Sequence, residues 1–268
     1  MTDIISSAGN PLAKRVKLLA NRKHRRREGV FVVEGLQPVW AAVEAGWEVE
    51  TFLVAPGLLT HQPALRMVEE QERAGVAVAW FATELFQRLV DRDGPSGIAA
   101  VVRSRAGGPE SLDVRPGAVF VALHRIANPG NLGTIIRTVD AVGGAGVVLI
   151  GDTVDPYAPA AVKASMGSLF AVDVVHTPGA PEFFAWAAAH GVEVLATSGS
   201  ADEDHWSAAY EPPLAFLLGS EREGLPADLL DRASRQVRIP MVGTVDSLNI
   251  GVAASIMLYE ARRRSESR

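Results

Sequence analysis

The sequence contains no cysteine, which excludes disulfides, thiolate metal sites and a cysteine nucleophile. No apolar run reaches the roughly 18 residues that a membrane span requires. The first residues carry no apolar signal core, so secretion is not expected and the cytoplasm is the default. The histidines at 24, 61, 124, 176, 190 and 205 form no HxxxH or HExxH pair, so no metal site is expected. There is no GxSxG elbow for a serine hydrolase and no GxxxxGK[ST] phosphate loop. Internal repeats and low-complexity segments are also absent.

What remains is a globular composition. The 268 residues are 48% hydrophobic and 21% charged, enough for one large domain or two modest ones. Net charge is −5, but it is unevenly placed. Residues 1–30 hold eight basic side chains against two acidic ones, a net of +6 that leaves −11 for the rest. A basic arm on an acidic body suggests a polyanionic partner, although a solvated helix face is the blander explanation.

The chain then alternates β and α signals. Strands are expected at 31–35, 51–55, 76–81 and 98–103, with helices at 37–45, 63–74 and 83–90, the last capped by Thr83. These make a small α/β layer of about 100 residues. The stretch 104–117 is rich in Gly, Pro and charge and is the best linker. The second half repeats the alternation with continuous apolar strands, which suits a sheet covered on both faces. The expected organisation is therefore 1–103, a linker at 104–117, and 118–268.

Three strand ends in the second half are unusual. NPGNLGTIIR (128–137) follows VFVAL, LLGSEREGLP (217–226) breaks an apolar strand, and IPMVGTVDSLN (239–249) leads into a final helix. The first resembles a Rossmann turn, with Asp152 about 20 residues on, but GxGxxG is missing. Each loop also has a plain structural explanation: turning glycines, or Asn131, Ser247 and Asn249 as helix caps. Together they sit at C-terminal strand ends, where open α/β sheets build their ligand crevices.

The motifs NxGxxxR, GxExxG and IPMxGxxxSLNxxxAxxIxLYE, in that order, resemble those of the SpoU (TrmH-type) branch of the SPOUT methyltransferases. The run from Asn10 to Glu34, ending GVFVVEG, is similar to the ribosomal-protein-like RNA-binding domain of several members. The resemblance implies a C-terminal α/β domain with a deep trefoil knot, behind a smaller N-terminal α/β domain that binds RNA. It implies S-adenosylmethionine as methyl donor, a homodimer formed through the C-terminal domain, and 2′-O-methylation of ribose in RNA. Ribosomal RNA is favoured over transfer RNA. A non-catalytic RNA-binding relative is a rival, but Asn131, Arg137, Glu221, Ser247 and Asn249 are all in place.

On this resemblance Arg137 lies nearest the reacting hydroxyl. A guanidinium is effectively always protonated, so an electrostatic role is preferred to a base. Asn131 would position Arg137 or the substrate, and Glu221 would orient a cation or the hydroxyl, with an ion pair to Arg222 as the competing explanation. Ser247 and Asn249 would contact substrate or cofactor. Leu218, Gly219, Ile239, Met241 and Leu248, with Asn249, would hold the cofactor. Lys14, Arg15, Arg22, Lys23, Arg25, Arg26 and Arg27 would bind RNA phosphates. Many relatives carry an acid where this chain has His124, followed by Arg125.

Overall fold

The computed structural model describes residues 4–90 and 96–266. In chain order the first elements are β1 (Ile4–Ile5), α1 (Pro11–Leu18), α2 (Arg22–Glu28), β2 (Val30–Glu34) and α3 (Leu36–Glu44). They continue as β3 (Val49–Val54), α4 (Gln62–Arg73), β4 (Ala77–Phe81), α5 (Thr83–Leu89) and β5 (Ile98–Arg103). The second half holds β6 (Val119–His124), α6 (Pro129–Val142), β7 (Gly146–Ile150), α7 (Pro159–Ser165), β8 (Val174–Thr177) and α8 (Ala180–Ala189). It ends with β9 (Glu193–Thr197), β10 (Glu203–Asp204), β11 (Leu214–Leu218), α9 (Ala227–Arg232), β12 (Arg235–Arg238) and α10 (Ile250–Glu266).

The chain divides into two compact units. One is the chain up to Arg105 together with Tyr157–Ala171; the other is Ala106–Pro156 with Val172–Arg268. The first unit is built on a five-stranded sheet in the order β1-β4-β3-β5-β2. A fifth strand joins the expected four because Ile4 and Ile5 pair with Trp80 and Phe81. Its basic segment is no loose arm. Asn10 and Asn21 accept backbone N–H bonds at the starts of α1 and α2, and Gly29 ends α2 in the left-handed region. Ala13, Val16 and Leu19 drop into the core beside Phe81 and Phe86. Thr83 is the first residue of α5 and makes no capping bond, so that expected cap is not formed.

Tyr157–Ala171 closes the other side of this unit. Phe31, Trp47, Tyr157 and Phe170 cluster with ring centroids 4.6–6.3 Å apart. The Trp47 indole N–H donates to the Phe170 carbonyl at 3.2 Å, and the Arg105 guanidinium lies 4.2 Å over the Trp47 ring.

The second unit carries a seven-stranded sheet, β10-β12-β9-β11-β6-β7-β8, whose pairs are all parallel. Phe120, Phe183 and Phe216 are fully buried. Burying a side chain of this size contributes about 1.5–3 kcal/mol before entropy is counted. Pro109 and Leu112, inside the stretch expected to act as a linker, are buried, with Leu112 in this core. Helix α6 starts with Pro129 behind the Asn128 cap and ends at Gly143, φ 68°. Its buried face is Leu132, Ile135, Ile136 and Val139, which leaves Thr134 and Arg137 exposed. Helix α10 packs against α6, with Ser255 and Thr138 hydroxyls 3.0 Å apart.

Candidate active site

Strands β12, β9, β11 and β6 are neighbours and all run the same way, so the loops that follow them emerge at one edge of the sheet. These are the three unusual loops, joined by a fourth after Thr197. An open cavity of about 890 Å³ lies among them. Its lining includes Leu218, Gly219, Glu221, Ile239, Met241, Ser247 and Leu248. Asn131, Arg137 and Asn249 stand outside that lining. The sequence reading missed Thr197, Ser198 and Gly199, which also line the cavity. A signal existed: the apolar strand VEVLA ends in small polar residues at the same edge.

The loop after β11 is a tight reversal. Ser220 and Gly224 exchange backbone hydrogen bonds of 3.0 and 3.2 Å. Gly219 is required there, because a Cβ would lie 2.0 Å from the Gly224 carbonyl carbon. The reversal presents Glu221. Its Oε1 accepts from the Asn131 amide nitrogen at 2.9 Å, and its Oε2 faces the Ala127 N–H at 3.4 Å. The Asn249 amide in turn donates to Asn131 Oδ1 at 2.9 Å, while Asn249 Oδ1 accepts from the Gly251 N–H at 2.9 Å and caps α10. One continuous chain, Glu221–Asn131–Asn249, thus ties the three loops together.

This settles several alternatives. The cap of α6 is Asn128, whose Oδ1 accepts from the Gly130 and Asn131 N–H groups, so the Asn131 side chain is free for the loops. Among the described residues Glu221 makes no ion pair with Arg222. Asn131 makes no bond to Arg137, contrary to one expectation; six helical residues turn the two side chains about 120° apart. Ser247 donates to Asp246 Oδ1 at 3.0 Å. Arg137 is exposed and has no hydrogen-bond or ion-pair partner among the described residues.

Charge is arranged to match. Partial burial pushes the Glu221 carboxyl up, but the Asn131 amide and the N–H groups of Glu221, Ala127 and Asn128 outweigh it and hold it below the usual range. His124 ends β6, where burial and then the Arg125 charge press its pKa down. Its Nδ1 is buried without a hydrogen-bond partner among the described residues.

The basic residues of the first unit divide into two groups. Arg25, expected to face RNA, is instead buried, and its Nη1 donates to the Leu19 and Ala20 carbonyls at 2.9 and 2.8 Å. Those carbonyls lie at the end of α1 and lack helical partners, so the guanidinium caps them. Arg15 bridges Glu28, at 2.7 Å, and Glu50. Lys14, Lys17, Lys23 and Arg26 are exposed.

The profile of the SpoU rRNA methylase family matches residues 118–259, the span that holds all three loops. The chain belongs to the SpoU rRNA methylase family. Residues 10–100 of this SpoU methylase match the MRM3-like substrate-binding domain. It is 33% identical to the 23S rRNA (uridine(2479)-2′-O)-methyltransferase of Streptomyces viridochromogenes, over 92% of this chain and 87% of that one. It is 29% identical to the 23S rRNA (guanosine(2553)-2′-O)-methyltransferase of Bacillus subtilis, over 96% and 98%. The AdoMet-bound rRNA methyltransferase of Sinorhizobium meliloti superposes with a TM-score of 0.90 at 35% identity, covering 98% of both chains.

Proposed function

We propose that this SpoU methylase is an S-adenosylmethionine-dependent methyltransferase acting on a ribose 2′-hydroxyl of ribosomal RNA. The observation that carries the reading is the Glu221–Asn131–Asn249 chain, which holds three loops around one cavity, with Arg137 on the exposed face of α6 and without a partner among the described residues.

The cavity suits the cofactor. Leu218, Ile239, Met241 and Leu248 give a flat base apolar cover, and backbone groups at the strand ends can meet its ring nitrogens and ribose. Glu221, Glu223 and Asp246 place negative charge around a sulfonium. S-adenosylmethionine, when bound, supplies an electrophilic methyl group. The chain's residues do the rest. As the hydroxyl proton passes to solvent, negative charge gathers on the ribose oxygen, and Arg137 offers a permanent counter-charge whose donors are unused among the described residues. Asn131, held at both ends, sets the spacing of the loops so that oxygen and methyl can align.

The RNA is held first by Lys14, Lys17, Lys23 and Arg26, with Arg22 and Arg27 beside them, on the two-helix start of the chain. A second copy is the proposed cover for Val242, Val245, Val252 and Tyr259, apolar side chains left exposed on the last loop and helix. The passage of residues 239–249 from β12 to α10, beside the 219–224 loop, is read as the threaded part of a trefoil knot. A ribosomal RNA substrate places the protein in the cytoplasm.

The test is incubation of purified protein with methyl-labelled S-adenosylmethionine and ribosomal RNA. Alkali-stable label in the RNA is expected. Cofactor binding without such label overturns the reading.

A further inference from the structure

Arg125 lies directly after β6 with a backbone φ of 55°. This is the left-handed region, which glycine enters freely and a residue with a Cβ does not. Met166 is the other non-glycine residue in it among those described. Such strain persists where the surroundings over-determine the backbone, and it gathers at functional sites.

The backbone around Arg125 is pinned on every side. Its own N–H donates to the Ile150 carbonyl at 3.2 Å, and the Ile126 carbonyl accepts from the Val154 N–H at 2.8 Å. The Ala127 N–H faces Glu221. The side chain is treated in the opposite way. It is exposed and makes no hydrogen bond or ion pair among the described residues. A turn that only had to turn would be served by glycine. An arginine held there at a conformational cost argues that the guanidinium itself is used.

What it meets follows from charge. Outside residues 1–30 the chain carries −11, and Glu221, Glu223 and Asp246 line the cavity. A polyanion approaching this edge is repelled unless local cations are left free. Arg125 is such a cation, two residues from the N–H that faces Glu221. A guanidinium grips a phosphate through two parallel N–H bonds and so fixes orientation as well as affinity.

We propose that Arg125 binds a backbone phosphate of the RNA next to the nucleotide being methylated, and thereby sets the register in which its ribose enters the site. The proposal rests on the RNA methyltransferase reading above.

The test uses the full chain as wild type, Arg125→Gly, Arg125→Ala and Arg125→Lys. Ribosomal RNA binding is measured at several salt concentrations, with cofactor affinity by calorimetry and thermal unfolding as controls. The glycine and alanine variants are expected to weaken RNA binding about five- to tenfold and to lower the salt slope by about 0.7, the loss of one phosphate contact. Cofactor affinity stays within about twofold, and Arg125→Gly unfolds no earlier than wild type because the strain is gone. Lysine restores the slope and only part of the affinity. Unchanged RNA affinity and slope in the glycine and alanine variants overturn the proposal. So does a parallel loss of cofactor affinity, which would mark a structural role. Binding requires no turnover, so a wild type that binds RNA without methylating it sinks the methyltransferase reading while the slope still judges Arg125. A wild type that binds no ribosomal RNA sinks both.

Discussion

Replacing Glu221 by glutamine keeps the side chain's shape and removes its charge. Both carboxylate oxygens are in use, one at 2.9 Å from the Asn131 amide and one 3.4 Å from the Ala127 N–H. With its pKa held low, Glu221 is a pure acceptor at neutral pH. Glutamine has one accepting end and one donating end, so it must point a donor at either Asn131 or Ala127. A hydrogen bond to a charged group is worth about 1.5–3 kcal/mol. Glu221 is exposed, so water and salt weaken this, and the loss of folding stability should be about 1 kcal/mol. The larger effect falls on the site. Asn131 keeps its oxygen toward Asn249 because Glu221 holds its nitrogen. If that amide turns over, the Asn249 bond fails and the loops lose their common spacing. An alignment loss of about 2 kcal/mol in the transition state slows methyl transfer about 30-fold. Single-turnover transfer of tritiated methyl at saturating RNA and saturating cofactor reads this directly. The pH dependence supplies a second check. A carboxylate with a depressed pKa in the folded state stabilises above its unfolded pKa, and that contribution disappears as pH falls through the folded value. The stability gap between wild type and Glu221→Gln should therefore be level near neutrality and close in acid. A variant that turns over at the wild-type rate, or a gap indifferent to acid, refutes the reasoning.

Three other outcomes are expected. Arg137→Ala keeps cofactor affinity within several-fold but lowers turnover at least about 100-fold, the scale of a lost charge stabiliser; near-normal turnover would remove Arg137 from the mechanism. Arg25→Ala lowers unfolding free energy in urea by about 1–3 kcal/mol, because the Leu19 and Ala20 carbonyls lose their donor, while Lys23→Ala leaves stability alone and weakens RNA binding. Glu260 is held at a pKa of about 2, with Arg263 pulling it down most, burial opposing, and Arg264 adding to the pull. Its stabilising effect, measured against Glu260→Gln in urea melts across pH, should be whole above the normal carboxylate range and fade as pH falls toward that value.

How much of this was legible in the sequence depended on the range of each interaction. The central strands of the second unit stand out because they are buried on both faces and read as unbroken apolar runs, such as Gly146–Ile150 and Leu214–Leu218. The strand Ile4–Ile5 is too short to carry a period and is defined only by its partner, Trp80–Phe81. The three loops announced themselves by composition, but their union did not. Asn131 could equally have capped its own helix, and only its partners 90 and 118 positions away decide the matter. Tyr157–Ala171 reads as part of the second sheet's alternation, yet its aromatic residues are claimed by Phe31 and Trp47.

The arginines make the same point with more consequence. Counted along the chain they are equal charges, and Arg25 looks no different from Arg26. In the fold Arg25 is buried against carbonyls, Arg15 is neutralised by two glutamates, and Arg125 and Arg137 have no partner among the described residues. A protein of net charge −5 cannot draw RNA by its overall field. It must do so with local cations that its own acids have not already neutralised. Arg125 at the sheet edge and Arg137 on α6, neither with a partner among the described residues, are such cations, and Arg125 is held in a conformation that favours glycine. The charges that build this protein are the ones bound to partners in the fold, as Arg15 and Arg25 are, and the charges left for its substrate are those, like Arg125 and Arg137, with none among the described residues.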